Sequence, residues 1–372
     1  MKSAVSVVKC NSYTPYLVDG AVRKCVDLLG GITSFIKPKS KVLVKPNLLM
    51  AKEPEFGITT HPEVLCAVIK ILKEINCHIF VGDSPSVWGR YIENVDDVYR
   101  RTGIRRVCEE EGIELVKFDK RRLREKFPLT TWLDESDYLV NVPKFKTHEF
   151  TILSGAIKNL FGLVSGIYKT ELHKKYFKVD DFSRILVDIF QEAKPALTIV
   201  DGIVAMEGDG PGTSGKLRQM GLLLASSDCV ALDTVLALIM GIEPQQILTT
   251  REAARRGLGT ADIKSILIRG ERLGDITGES FILPSVPLYR KIPQPIAQIL
   301  RNLIRYYPRC QHKSCIRCLA CIQVCPNKCI IIKSNRIVFK YSKCISCFCC
   351  QEVCPAAAIK VKKSILAKII GL

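Results

Sequence analysis

The chain has 372 residues, 47% hydrophobic and 25% charged, a composition that excludes a disordered chain and leaves room for one large domain or two ordinary ones. Its net charge of +18 is unevenly placed: residues 284–372 hold 16 Lys/Arg against the single acid Glu352, a net +15, while the first 283 residues carry only +3. No apolar run approaches the roughly 18 residues a membrane span needs, and the opening MKSAVSVVKCNSY lacks the apolar core of a secretory signal, so a cytoplasmic protein is expected.

Over the first 280 or so residues, short β-rich runs alternate with amphipathic stretches. Val42-Leu43-Val44, Ile79-Phe80-Val81, Leu139-Val140, Leu197-Thr198-Ile199-Val200 and Leu222-Leu223-Leu224 read as buried strands. Pro62 to Ile75, Phe182 to Glu192 and Val230 to Met240 read as helices, with Pro62 at a first helical position and His61 or Thr60 near its cap. This alternation predicts an α/β domain over residues 1–283 with a mostly parallel sheet. Ligands of such sheets sit where strands end. The rule marks Lys45-Pro46-Asn47, Gly82-Asp83-Ser84, the stretch NVPKFKTHEF at 141–150, and Asp201-Gly202.

NVPKFKTHEF places Lys144, Lys146 and His148 directly behind an apolar strand. Such cations are suited to holding a carboxylate or phosphate. Lys144, Lys146, His148 and His173 are the candidate catalytic residues. Lys45, Asn47, Asp83, Lys158, Asn159, Asp201 and Glu207 are the candidate substrate-binding residues. His148 is the expected proton donor, since an ordinary imidazole titrates near ~6.5. His61, His148 and His173 with Asp201 and Glu207 also form a candidate divalent metal site, at a spacing that is not diagnostic. For each lysine alone the bland reading is a solvated surface; their shared placement behind strands is what favours a site. GPGTSGKL at 210–217 falls short of a Walker A loop, because Leu217 stands where the magnesium-binding hydroxyl belongs and a strand follows.

Residues 284–308 contain five prolines around a short basic amphipathic helix and read as a linker. Residues 362–372 read as a basic, apolar tail. Peripheral membrane contact is the alternative for both stretches. Between them, residues 309–361 hold C-I-R-C-L-A-C-I-Q-V-C-P from Cys315 and C-I-S-C-F-C-C-Q-E-V-C-P from Cys344, two copies of C-x2-C-x2-C-x3-C-P. That is the bacterial two-cluster ferredoxin spacing, in which the fourth cysteine of each run ligates the other cluster. Cys315, Cys318, Cys321 and Cys354 are expected to hold one [4Fe–4S] cluster, and Cys344, Cys347, Cys350 and Cys325 the other, in a small α+β module. Structural zinc is the competing reading, but zinc sites do not need eight cysteines in two such repeats. Cys310, Cys329 and Cys349 are off the pattern and read as spare. The six cysteines before residue 230 read as buried thiols. The basic surround suits an acidic redox partner such as a ferredoxin or flavodoxin; with no base-reading helix and no aromatic platform, nucleic acid is not expected.

Taken together, Lys45-Pro46-Asn47, Thr60-His61-Pro62, Gly82-Asp83-Ser84, Pro143-Lys144 with Lys146-Thr147-His148, Ala156-Ile157-Lys158-Asn159, Asp201-Gly202 with Met206-Glu207-Gly208, and Asp228-Cys229-Val230-Ala231-Leu232-Asp233 resemble the domain of unknown function 362 family. The resemblance spans roughly residues 1–275 plus the tail. It implies an iron–sulfur centre protein, some members of which carry a C-terminal two-cluster ferredoxin domain. His61 departs from the pattern, where a proline is often expected. The functional expectation is a ferredoxin-linked reductase acting on a small anionic substrate. The alternatives are a non-enzymatic electron carrier and a protein of metal or cofactor maturation.

Overall fold

The computed structural model describes residues 3–85, 94–166, 168–176, 178–284 and 306–364. Ten strands form one sheet among them. Its main order is β12 (Ile266–Gly270), β1 (Ser3–Lys9), β11 (Gly215–Ser226), β10 (Leu197–Gly208), β7 (Tyr138–Val142), β2 (Lys41–Pro46), β3 (His78–Val81), β4 (Glu114–Leu115), with β8 (Lys144–His148) on β10 and β9 (Ile152–Ser154) on β8. A two-stranded hairpin of Arg121–Arg124 and Phe127–Thr130, β5 and β6, stands apart. Most neighbours in the large sheet run parallel. The exceptions are β11, antiparallel to β1 and β10, and β9.

The strand runs are continuously apolar because both sheet faces are covered. Val42 and Val44 point into one core with Val140, Ile199 and Leu223, under the helices Pro15–Asp27 and Pro62–Glu74. Leu43 and Leu139 point into the other, under Val179–Ala193 and Cys229–Ile239. Two of these helices begin on a side-chain cap. His61 Nδ1 accepts from the Glu63 amide at 3.2 Å ahead of Pro62, and Asp228 caps Cys229–Ile239 through the Val230 and Ala231 amides.

Residues 306–364 form two antiparallel ribbons, β13 (Tyr306–Cys310) with β16 (Ile359–Lys363) and β14 (Ile330–Lys333) with β15 (Arg336–Phe339), around the short helices Ala320–Val324 and Cys349–Glu352. Tyr306 to Pro308, expected in the linker, and Lys362 and Lys363, expected in the tail, are ladder positions instead. The expected basic helix of the linker, and the chain end from 365, lie outside the described residues. Among the described residues no helix is long and apolar enough to cross a membrane.

Candidate functional site

The parallel strands β2, β3 and β7 end on one side of the sheet, and the segments marked after them meet there; Asp201-Gly202, expected past a strand end, lies inside β10 instead. Lys45 is the fifth residue of β2 and pairs across the ladder with Asn141 of β7. Pro143 breaks the ladder after β7, and β8 continues beside β10 with Lys144 opposite Asp201 and Lys146 opposite Met206. PKFKTH is therefore a second strand segment rather than a loop past a strand end. Alternation of side chains along β8 sends Lys144, Lys146 and His148 to one face and Phe145 into the core.

The resulting polar cavity is lined by Lys45, Lys144, Lys146, Lys158 and Lys169, with Asn47, Asp83, His148, Asn159 and His173 among its other walls. Nine of the eleven expected catalytic and substrate-binding residues are thus brought together. Asp201 and Glu207 are not among them. Asp201 lies behind the wall, with Oδ2 2.8 Å from Lys144 Nζ and Oδ1 accepting from the Tyr13 hydroxyl at 2.8 Å. Its Oδ2 also accepts from the His61 amide at 2.9 Å. Glu207 pairs with Arg218 at 2.9 Å and accepts from the Ile282 amide. His61 stacks on Tyr13 with centroids 3.6 Å apart and spends Nδ1 on its helix cap. Of the five groups of the candidate divalent site, His61, Asp201 and Glu207 are taken up by these contacts, and only His148 and His173 face the cavity. Among the described residues no three His, Cys, Asp or Glu side chains converge as a single ion requires.

Two of the lysines are neutralised in place. Lys45 Nζ lies 2.8 Å from Asp83 Oδ1, and Lys144 has Asp201. A buried pair of this kind is neutral overall wherever its shared proton rests. Gly162 packs so tightly over the first pair that an added Cβ would collide with Asp83 Oδ1 and Lys45 Nζ. An amide chain holds the cavity floor: Asn47 Nδ2 donates to Asn159 Oδ1 at 3.0 Å, and Asn159 Nδ2 to Asn141 Oδ1 at 2.8 Å.

Lys146, Lys158 and Lys169 have no carboxylate within ion-pair distance among the described residues. Lys146 donates to the Ile58 carbonyl at 2.6 Å, and Lys169 to that of Ser84. Burial pushes Lys146 down to about 7, with the Lys158 charge adding to the effect. Burial likewise pushes Lys169 down to about 7.

The histidines behave differently from the expectation. His148 Nδ1 accepts from the Phe150 and Thr151 amides at 3.0 and 3.3 Å, which leaves the proton on Nε2. Burial, with Lys158 nearby, holds it well below an ordinary imidazole. His173 stacks on Phe182 at 4.4 Å and meets Phe161 edge-on, and burial lowers it to about 3. Both rings are neutral at pH 7. The expectation that His148 titrates near neutrality and donates a proton is corrected here: the cavity groups poised near 7 are lysines.

The fourth wall comes from the cysteine-rich segment. Glu352 lines the cavity with Oε1 3.4 Å from His148 Nε2. Burial raises its carboxyl, and Lys158 and Lys146 oppose that rise. Gln351 beside it donates to Glu149, Thr213 Oγ1 donates to the Cys354 carbonyl at 2.9 Å, and Gly212 lies against the Glu352 carbonyl so closely that only glycine fits. Sequence reasoning missed Glu352, Lys169 and Tyr13. The signal for Glu352 was its solitude among sixteen cations; Lys169 lies in a polar helix that follows no strand, and gives none.

In the cysteine-rich segment itself, Cys315, Cys318, Cys321 and Cys354 line one recess, and Cys325, Cys344, Cys347 and Cys350 another. Each recess has a fifth thiol, Cys310 in the first and Cys329 in the second, the latter with its Sγ 3.3 Å from that of Cys325. Cys349 lines neither.

Fold and site together define a mixed α/β protein with a large, mainly parallel sheet and a lysine-lined polar cavity at its strand ends. The chain belongs to the family described as Domain of unknown function (DUF362), which matches residues 42–237. It is 33% identical over 265 residues to the Thylakoid-associated protein sll1697 of Synechocystis sp., covering 69% of this chain and 81% of that relative. Among solved structures it is similar to the lactate racemase apoprotein from Thermoanaerobacterium thermosaccharolyticum, at 14% identity and a TM-score of 0.41. That match covers 65% of this chain, which spans 58% of the racemase's length.

Proposed function

We propose that the protein is an iron–sulfur electron-transfer enzyme that reduces a small anionic substrate held in the lysine cavity. The observation that carries this reading is Glu352: a residue lying between Cys350 and Cys354 lines the same cavity as Lys146 and Lys158. The cysteine-rich segment and the anion-binding wall are thus one continuous surface.

The residues fit the implied cofactors. Each recess is lined by three cysteines of one repeat and the fourth of the other, the interleaving that the two-cluster spacing demands. A cube spreads its four thiolates over its corners, wider than the convergence a single ion needs. Cys315, Cys318, Cys321 and Cys354 would hold one [4Fe–4S] cluster, and Cys325, Cys344, Cys347 and Cys350 the second. When bound, the clusters supply electrons one at a time.

The protein's own groups do the rest. Lys146, Lys158 and Lys169 hold the substrate's negative charge in a site largely shielded from water, where it is worth more than at a surface. Lys146 and Lys169, lowered to about 7, can each carry or release a proton at neutral pH. The neutral His148 presents its Nε2–H as an orienting donor. Arg309, Lys313, Arg317, Lys328 and other cations face outward from the same segment, suited to an acidic ferredoxin or flavodoxin in the cytoplasm.

The test is reoxidation of the anaerobically reduced, reconstituted chain by candidate anionic substrates. Lys146→Met with Lys158→Met should abolish substrate-dependent reoxidation while leaving the iron content unchanged. Unchanged reoxidation would leave the chain an electron carrier. The thylakoid association named for the Synechocystis relative favours a second reading, in which the same cationic face rests on an anionic membrane surface. Flotation with anionic but not neutral vesicles would support it.

A further inference from the structure

The lysine cavity carries a countable excess of charge. Lys45 and Lys144 are cancelled by Asp83 and Asp201 at 2.8 Å each. Three cations remain, Lys146, Lys158 and Lys169, and the walls hold one further carboxyl, Glu352, which can offset at most one of them. The imidazoles of His148 and His173 add nothing, being buried and neutral. Below about pH 7, where Lys146 and Lys169 hold their protons, an excess of at least two positive charges is left among buried side chains.

Resting on the proposal that this cavity is the substrate site, we infer that it selects a dianionic head group, a phosphate monoester or a dicarboxylate, over a monoanion. The argument is electrostatic. A buried charge left without a partner costs several kcal/mol, and with at least two lysines uncompensated a dianion answers one more of them than a monoanion can. The three lysines also approach from different elements: Lys146 from β8, Lys158 from the helix Ala156–Asn159, and Lys169 from the helix Tyr168–Lys175. Three separate donors surround a group with several oxygens better than they meet a lone carboxylate at one edge. Lysine rather than arginine suits this role, because a point charge on a flexible stem accepts either a tetrahedral or a paired-carboxylate geometry.

The experiment is calorimetric titration of the full, anaerobically reconstituted chain at pH 6.5 with two matched pairs of probes. Sulfate against methyl sulfate tests a tetrahedral oxyanion; succinate against its monoamide tests a dicarboxylate. At least one dianion should bind tenfold or more tightly than its monoanionic partner, and the pair showing the larger ratio identifies the head group. Lys169→Met, which removes one of the three cations away from the cysteine-rich segment, should shrink that ratio to near one. Equal affinities within both pairs for the unaltered chain would overturn the inference while leaving an anion site standing. No binding by any of the four would overturn the anion site and the inference together.

Discussion

At the residue scale, the cavity's chemistry rests on lysines whose burial changes what they are. Lys146 and Lys169 fall from an ordinary amine value to about 7. In the unfolded chain both titrate near ~10.4. Between about 7 and that value the unfolded chain binds more protons than the folded one, so each group makes stability rise with pH across this window. Ligand affinity should run the other way. Sulfate keeps its charge across neutrality, so its affinity reports the lysines: it should weaken roughly tenfold or more between pH 6 and pH 8, and by less in Lys146→Met. The same affinity at both pH values would show that these amines are not the ligand's counter-ions. The buried pairs give a second prediction. Asp83→Asn leaves the buried Lys45 packed under Gly162 with no carboxylate and should cost about 3–5 kcal/mol in denaturant unfolding. A loss within experimental error would mean that Lys45 finds water there.

At the element scale, most of the sheet was legible in sequence because its strands are buried on both faces. Runs such as Val42-Leu43-Val44 divide between two cores and leave an unbroken apolar signal. Four of the five cavity lysines were legible for a related reason: strand ends in a parallel sheet are few, and residues such as Lys45, Asn47, Asp83 and Lys144 sit at or just past them. What sequence could not show was where β8 goes. The stretch from Pro143 read as lying past a strand end, whereas pairing with β10 carries the chain on as strand. Asp201 and Glu207 had the right chemistry and the wrong neighbours: Asp201 is taken by Tyr13, far away in sequence, and Glu207 by Arg218 on the adjoining strand β11, whose pairing the sequence does not state. In the cysteine repeats the spacing alone gives a full assignment, open to test. Cys318→Ser and Cys347→Ser should each disturb one cluster and lower the iron content by about half, while Cys349→Ser, which lines neither recess, should leave it unchanged. Equal losses in all three would refute the register. Cys310 and Cys329 were read as spare, yet each stands in a recess. The fold brings them there through β13 and the turn before β14, which spacing does not encode.

At the scale of the whole molecule, the described cores do not mix. The two sheet-face cores draw only on residues up to Phe281, and the third only on residues from Cys310 onward. A chain ending near residue 284 should therefore unfold cooperatively by itself; an insoluble or molten product would contradict that. The junction between the two parts is polar and specific, made by Glu352 with His148, Gln351 with Glu149, Thr213 with the Cys354 carbonyl, and Lys360 with Ser214. Composition hinted at a basic redox segment and at a separate α/β part, but not that the segment's only acid closes the other part's cavity. That contact is where the proposed electron source meets the proposed substrate. It is tested most directly by the electron paramagnetic resonance spectrum of the anaerobically reconstituted, dithionite-reduced chain, recorded as sulfate is added. The account predicts the signal of two reduced [4Fe–4S] clusters, about eight irons per chain, whose line shape changes as the cavity fills and does not change in Lys146→Met with Lys158→Met. A chain that takes up zinc and shows no iron–sulfur signal, or clusters blind to sulfate that calorimetry shows to be bound, would contradict it.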